Sequence, residues 1–249
     1  MEQGFDLQHI LFIFIIFILV AVAVFLVKKF CKSERSLRIA VYISAALVLA
    51  TLIWNRVSIA VIGVTDERIP DAVNLLPNAY CPLAGLLLLP ALLLWRKDWN
   101  HPVFHGLMYI ALLGGVLTIF FPATTIGNGD TIIFATRTFS NLMYHSLAMF
   151  VAILMLVTGK FRLNWRYWWA VALGMAVHIP IGLFMIQVFG IHDAMFINYP
   201  FVEGTIFTWW FVGIVLLGIY MVLAAIYEYV PIYWKKRKEK KLNTTNEKA

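Results

Sequence analysis

Cys81 and His145 are the two side chains of this sequence whose chemistry best suits nucleophilic catalysis. In apolar surroundings a thiol stays protonated and inert unless a base or a cation stabilises the thiolate. A neighbouring imidazole supplies such a base, and the thiolate then attacks an ester carbonyl to form a thioester. An alcohol, an amine or water takes the acyl group in a second step. We therefore predict Cys81 as a nucleophile and His145 as its general base.

Polar residues precede both side chains at intervals that place them on one face of a helix. Residues three, four or seven positions apart share a helical face. A polar face inside a bilayer needs a partner other than lipid, so we expect the two faces to meet. The two predicted stripes are Asn74, Asn78 and Cys81 on one segment and Arg137, Asn141 and His145 on another.

Arg56 is a charged group at the same predicted depth. It stands eight residues before the outer end of its apolar segment, and Cys81 and His145 stand eight residues after the outer ends of theirs. At 1.5 Å per residue, all three lie roughly 12 Å below one membrane surface. This is close to the depth of phospholipid ester linkages, so the bilayer is the natural acyl donor. The candidates for stabilising an oxyanion or binding the substrate are Arg56, Asn78, Asn141, Asn74 and Arg137.

The rest of the chain must form the membrane elements that position these residues. Of the 249 residues 62% are apolar and 13% are charged, whereas soluble domains have about 25% charged residues. This composition excludes a soluble globular protein. We predict an all-α integral membrane bundle of seven transmembrane helices. The helices lie near residues 9 to 27, 38 to 64, 73 to 95, 103 to 121, 137 to 158, 167 to 189 and 206 to 233.

The distribution of charge predicts the orientation of the bundle. Of the 20 Lys and Arg residues, 17 lie in the stretches 28 to 38, 96 to 97, 160 to 166 and 235 to 248, all on one side of the predicted bundle. Basic loops face the cytoplasm. We therefore predict an N-terminus outside and a C-terminus in the cytoplasm, in the plasma membrane, with the candidate site facing the exterior. Because the basic residues follow the apolar segments, the net charge of +7 does not indicate nucleic-acid binding.

The domain organisation is simple. We predict one membrane domain, residues 1–234, and a basic, disordered cytoplasmic tail, residues 235–249, whose lysines contact anionic lipid. Cys31 and Cys81 lie on different sides of the predicted bundle, which excludes a disulfide between them. The sequence has no HEXXH or CXXC pattern, so we predict no metal site and no cofactor. It does not indicate an oligomeric state.

The last predicted outer loop, residues 191 to 204, is rich in aromatic and apolar side chains. Met195, Phe196, Tyr199 and Phe201 lie there between Asp193 and Glu203. Such residues form either an interfacial lid or the ordinary aromatic belt at a membrane surface. Both interpretations are open.

Three short motifs resemble those of one membrane family. Leu76 to Leu83 reads LPNAYCPL and precedes an apolar stretch and WRKDW. His145 lies in YHSLAMFVAI, and MFINYP precedes a Trp pair. Over roughly residues 73 to 230 the chain resembles the YwaF family, which includes the eukaryotic transmembrane protein 164. That member is taken to be a Cys-dependent acyltransferase acting on phospholipids. The resemblance therefore implies a polytopic protein in which Cys81 is the nucleophile and His145 its partner.

The leading hypothesis is a membrane acyltransferase or acyl hydrolase that takes an acyl chain from a phospholipid through a thioester on Cys81. The alternative is a transporter or channel whose polar path is lined by Arg56, Asn141 and His145. A second alternative is a non-catalytic membrane binding or assembly module. In both alternatives Cys81 is a small packing residue.

Overall fold

The computed structural model describes residues 7–62, 72–120, 136–200, 204–206 and 208–246. Within these ranges the chain forms seven α-helices and two 3-10 turns, without a strand. The helices are α1 (Leu7–Phe30), α2 (Glu34–Ile62), α3 (Tyr80–Leu94), α4 (Pro102–Phe120), α5 (Thr136–Val157), α6 (Trp168–Phe189) and α7 (Trp209–Asn246), and the 3-10 turns are Ala72–Leu75 and Trp165–Tyr167. The predicted all-α class is confirmed.

Six of the seven helices are long and apolar enough to cross a membrane. The exception is α3, which has 15 residues. At 1.5 Å per residue it is about 22 Å long, shorter than the roughly 30 Å hydrocarbon core of a bilayer. An integral membrane protein is therefore confirmed, whereas a seventh span and the orientation of the termini stay predictions.

The helix predicted to begin at residue 73 begins instead at Tyr80. Pro77 has no N–H to donate and disfavours helical backbone in the residue before it. Ala79, the residue before the helix, is extended, with φ −140° and ψ 167°. Pro82 is tolerated in the first turn because amides there have no acceptor within the helix. The two prolines therefore place the break in front of Tyr80.

This later start corrects one of the two predicted stripes. Asn74 lies on the first 3-10 turn and Asn78 lies in the non-helical stretch that follows it. Only Cys81 belongs to α3, as its second residue. The three residues therefore do not form a helical stripe, and the depth predicted for Cys81 no longer follows from a helix that starts at residue 73.

The centre of the bundle is α5, the most buried of the long helices. It packs against α1, α2, α3 and α4. The approach of α4 is close because position 115 has no side chain: a Cβ on Gly115 would lie 2.7 Å from the Cβ of Met149 and 2.9 Å from the carbonyl oxygen of His145. On its other side α4 packs against α6, which contacts α7 around a second buried cluster.

Polar contacts join the beginning of α2 to the segments that follow α3 and α5 at one end of the bundle. Glu34 forms ion pairs with Arg38, at 2.8 Å, and with Lys160. Nη1 of Arg38 donates a hydrogen bond to the carbonyl oxygen of Arg96. The basic stretches that contain these residues therefore lie together, as the alternation of the helices predicts.

The last helix is longer than predicted. α7 passes Trp234 without a break and continues to Asn246, where the sequence analysis expects disorder. Lys and Glu, which are abundant there, are strong helix formers. The division into a membrane domain and a lipid-binding tail stays a prediction.

Candidate functional site

Cys81 and His145 line the same small cavity, between α3, α4 and α5. Its volume is about 10 Å³, which is close to the minimum for one water molecule. Apart from Tyr144, its other walls are apolar. They are formed by Ala84, Gly85, Leu88, Ile110, Ala111 and Ala148. The structure thus brings together the two residues whose meeting the sequence analysis could only expect.

Cys81 is a free thiol in the first turn of α3. Its sulfur faces α4 at Gly114, where an added Cβ would lie only 2.5 Å from Sγ. The positive end of a helix favours a nearby negative charge, whereas the apolar walls of the cavity disfavour it. A thiolate at this position therefore needs a base.

His145 is 5% exposed and lies in the middle of α5. Its Nε2 is 3.4 Å from Oγ1 of Thr118 on α4, and its ring lies 4.1 Å from that of Tyr144. The hydrogen bonds found within the described ranges include none between His145 and Cys81. A proton can pass between them through a water in the cavity or after a turn of the imidazole, since catalytic contacts often tighten only with substrate bound.

Arg56 and Asn78 also meet, but outside this cavity. Nη1 of Arg56 donates hydrogen bonds to Oδ1 of Asn78, at 3.1 Å, and to the carbonyl oxygen of Leu76, at 3.3 Å. Arg56 lines a separate crevice between α2 and the segment that leads into α3. Arg56 is therefore a neighbour of the cavity rather than one of its walls.

The remaining predicted site residues do not line the cavity. Arg137 and Asn141 are on α5, two turns and one turn before His145 respectively, so this predicted stripe is helical. Arg137 is buried, and its carbonyl oxygen accepts a hydrogen bond from Asn55 of α2. Asn74 and Asn141 are half-buried. Of the two predicted stripes, only Cys81 and His145 reach a common space.

A family model described as the TMEM164 family matches residues 4–230. The chain belongs to the TMEM164 family. The match covers the whole membrane bundle described above and confirms the resemblance seen in the short motifs. No curated protein and no solved structure matches the chain.

In this TMEM164-family protein the loop between α6 and α7 contacts the segment in front of Cys81. The backbone N–H of Met195 donates to the carbonyl oxygen of Asn78 at 2.9 Å, and the ring of Phe196 stacks on Tyr80 at 6.2 Å. Met195 and Phe196 both have positive φ, 57° and 60°, which costs free energy in non-glycine residues. In the sequence, only the motif MFINYP indicated these contacts between the loop and the segment before Cys81.

Two further residues next to the site had no assigned role. Tyr144 lines the cavity, and as the neighbour of His145 in sequence it could have been identified. His178 lies on α6 with its ring 4.7 Å from that of Tyr80, and its Nδ1 contacts the carbonyl oxygen of Gly174. His178 therefore packs against Tyr80, the residue before Cys81.

At the other end of the bundle the TMEM164-family protein has a second buried polar group. Nδ1 of His105 lies 2.8 Å from the hydroxyl of Tyr220, which donates to the carbonyl oxygen of Asn164. The sequence analysis missed this contact because the partners are far apart in the chain. Within the described residues, no three His, Cys, Asp or Glu side chains are grouped as metal ligands.

Proposed function

We propose that this TMEM164-family protein is a membrane acyltransferase, or acyl hydrolase, that takes an acyl chain from a phospholipid through a thioester on Cys81. The observation that supports it most directly is the common cavity: a free thiol at a helix N-terminus and a buried imidazole border a space the size of one water. These are the elements that nucleophilic catalysis by cysteine requires.

In the first step His145 accepts the thiol proton, and the sulfur of Cys81 bonds to the carbonyl carbon of a lipid ester. The ester C–O bond breaks, and the departing lysolipid oxygen takes the proton from the imidazolium. In the second step the imidazole deprotonates an acceptor alcohol or amine, or water. The acceptor bonds to the thioester carbonyl, and Cys81 leaves and recovers its proton.

The oxyanion formed in each step needs hydrogen-bond donors within the cavity. The backbone N–H of Cys81 lies in the first turn of α3, where amides have no acceptor within the helix. Tyr144 also lines the cavity, and we propose its hydroxyl as the second donor. These groups take the role for which the sequence suggested Arg56 and Asn78, because those two residues lie outside the cavity.

The proposal includes the placement of the site. We infer that residues 72–79 complete the seventh span together with α3, since non-helical backbone is tolerated at membrane depth where protein surrounds it. The N-terminus is then outside, and Cys81 faces the outer leaflet of the plasma membrane.

The test is the formation of a thioester. The protein is purified into nanodiscs containing an alkyne-bearing phospholipid, and intact mass is measured before and after hydroxylamine. We expect a hydroxylamine-labile acyl adduct on the wild type and on Cys31→Ser, which is the matched cysteine control. Cys81→Ala should have none, and His145→Gln should form it at least about 100-fold more slowly.

An adduct that persists in Cys81→Ala, or its absence from folded wild-type protein, would overturn the proposal. In the second case, solute flux in liposomes that depends on Arg56 and His145 but not on the thiol would favour the transport alternative. A stable partner on co-purification without flux would favour the non-catalytic module.

A further inference from the structure

A crevice of about 150 Å³ lies between α2 and the segment that leads into α3. Apart from Arg56 its walls are apolar: Leu52, Ile53, Val57, Leu75, Pro77 and Leu86. Ile53, Val57, Leu75 and Leu86 are each at least 40% exposed. In a membrane the crevice therefore opens towards lipid rather than towards the interior of the bundle.

Arg56 is the polar end of this crevice. Its Nη1 is used by Asn78 and by the backbone of Leu76, but its buried Nε has no hydrogen-bond partner within the described ranges. The ion pairs of these ranges involve Glu34 and not Arg56. A cation beside hydrocarbon without a counter-charge is costly. A lipid phosphate supplies the missing counter-charge, since guanidinium groups bind phosphate well.

The size of the crevice limits what it can hold. A cavity of about 150 Å³ accommodates one benzene molecule, so this crevice has room for only a short length of acyl chain. The occupant must therefore be an amphiphile whose anionic group lies close to the beginning of its chain, while the rest of the chain stays in the bilayer. A glycerophospholipid has this arrangement, whereas free inorganic phosphate would leave the apolar walls unfilled.

The crevice is separated from the Cys81 cavity by a thin wall. Leu52 lines the crevice, and its Cδ2 lies 3.3 Å from the position of a Cβ on Gly85, which lines the cavity. A lipid held at Arg56 therefore has its glycerol esters beside the cavity, which is itself too small for an ester in this structure.

From these observations we propose that the crevice binds the acyl-donor phospholipid, with the phosphate on Arg56 and the first carbons of one chain between Val57, Leu75 and Leu86. Binding at this position is independent of turnover, but its role as the donor site rests on the proposed function. Arg56 is then a lipid-binding residue rather than an oxyanion donor.

Photocrosslinking tests the binding directly. The probe is a phosphatidylcholine with a diazirine near the carboxyl end of one chain, used in nanodiscs with the Cys81→Ala protein so that no turnover occurs. A diacylglycerol with the same diazirine is the matched probe without phosphate. We expect crosslinks in the peptides that contain residues 52–57 and 75–86, at least about tenfold more with the phospholipid, because the charged hydrogen bond is lost in the diacylglycerol.

Variants locate the effect. Arg56→Gln should reduce the preference for the phospholipid to about equal labelling, and Val57→Trp should fill the crevice and abolish both labels there. Val61→Trp is the control, because Val61 is one turn further along α2, 64% exposed and not a wall of the crevice. Unchanged labelling in Arg56→Gln and in folded Val57→Trp would refute the site. Competition by millimolar inorganic phosphate would refute the lipid as its occupant.

The acyl adduct on Cys81 separates this inference from the proposed function. Crevice crosslinks in a wild-type protein that forms no adduct would refute the acyl transfer and leave the lipid site standing. An adduct that forms at the normal rate in both Arg56→Gln and Val57→Trp would show that the donor does not pass through the crevice, and would refute its assignment as the donor site.

Discussion

Replacing Gly115 by Ala should destabilise the bundle at the contact that brings α4 to α5. The new Cβ would lie 2.7 Å from Cβ of Met149 and 2.9 Å from the carbonyl oxygen of His145. Carbon atoms in ordinary contact are about 3.5 to 4.0 Å apart. Since both neighbours lie on or next to the backbone of α5, rotation of a side chain cannot relieve the overlap, and the two helices must separate locally by nearly 1 Å.

The cost of such overpacking is about 1 to 3 kcal/mol. The gain in helix propensity from Gly to Ala, at most about 1 kcal/mol, applies equally to Gly218→Ala, where nothing lies within 4 Å of the added Cβ. Gly218→Ala is therefore the matched control. For a chain of this size the difference corresponds to a Tm lower by roughly 2 to 12 °C in Gly115→Ala than in Gly218→Ala.

The assay is thermal unfolding of the purified variants in one detergent, followed by tryptophan fluorescence. The labelling rate of Cys81 by a small maleimide, measured in the Cys31→Ser background, reports whether the cavity opens at the same time. Equal Tm values for Gly115→Ala and Gly218→Ala would refute the close approach of α4 to α5. The shared cavity of Cys81 and His145 would then lose its structural basis.

Two further predictions concern neighbouring contacts. Gly114→Ala should have a Tm close to that of Gly218→Ala, because the nearest atom to its Cβ is the rotatable Sγ of Cys81 and the next is 3.8 Å away. It should nevertheless change the maleimide labelling rate of Cys81 severalfold, and an unchanged rate would place Sγ elsewhere. His9→Ala should lower the Tm by a few degrees more than Leu7→Ala, since Nε2 of His9 bonds to the carbonyl oxygen of Ile119 at the end of α4, and a hydrogen bond between membrane helices contributes about 0.6 kcal/mol, rarely more than 1.7. Equal Tm values for these two variants would show that α1 does not cap α4 in this way.

The two reactive residues of the candidate site could be predicted because Cys and His are uncommon in the apolar segments of this chain. Cys81 and His145 were identified as a pair from their chemistry and from the motifs around them. The polar stripe on α5 was also recognisable, since Arg137, Asn141 and His145 follow a regular helical interval.

The stripe on the third segment failed because Pro77 and Pro82 interrupt the helix that the apolar composition predicts from residue 73. Their combined effect depends on whether the surrounding protein can accommodate a non-helical segment at membrane depth. In the structure, Arg56 donates a hydrogen bond to the side-chain oxygen of Asn78, and the N–H of Met195 donates one to its backbone carbonyl oxygen. Both donors are distant in the chain, and neither contact leaves a periodic pattern in the sequence.

The sequence by itself determined the membrane class, the helical content and the approximate positions of the long helices. A transmembrane helix satisfies its backbone hydrogen bonds within one segment, so its existence follows from local apolar composition and length. The positions of the basic stretches are also local features of the sequence, because most of the Lys and Arg residues lie between the apolar segments rather than within them.

Only the tertiary structure decided which polar groups share a space. Arg56 was expected beside Cys81 because of its depth. In the structure Arg56 instead lines a crevice between α2 and the segment before α3, whereas Cys81, His145 and Tyr144 line the cavity. The physical reason is that depth is set within one segment, whereas facing is set by the neighbours against which each helix packs. The absence of side chains at Gly114 and Gly115 allows Cys81 and α5 to approach α4 closely.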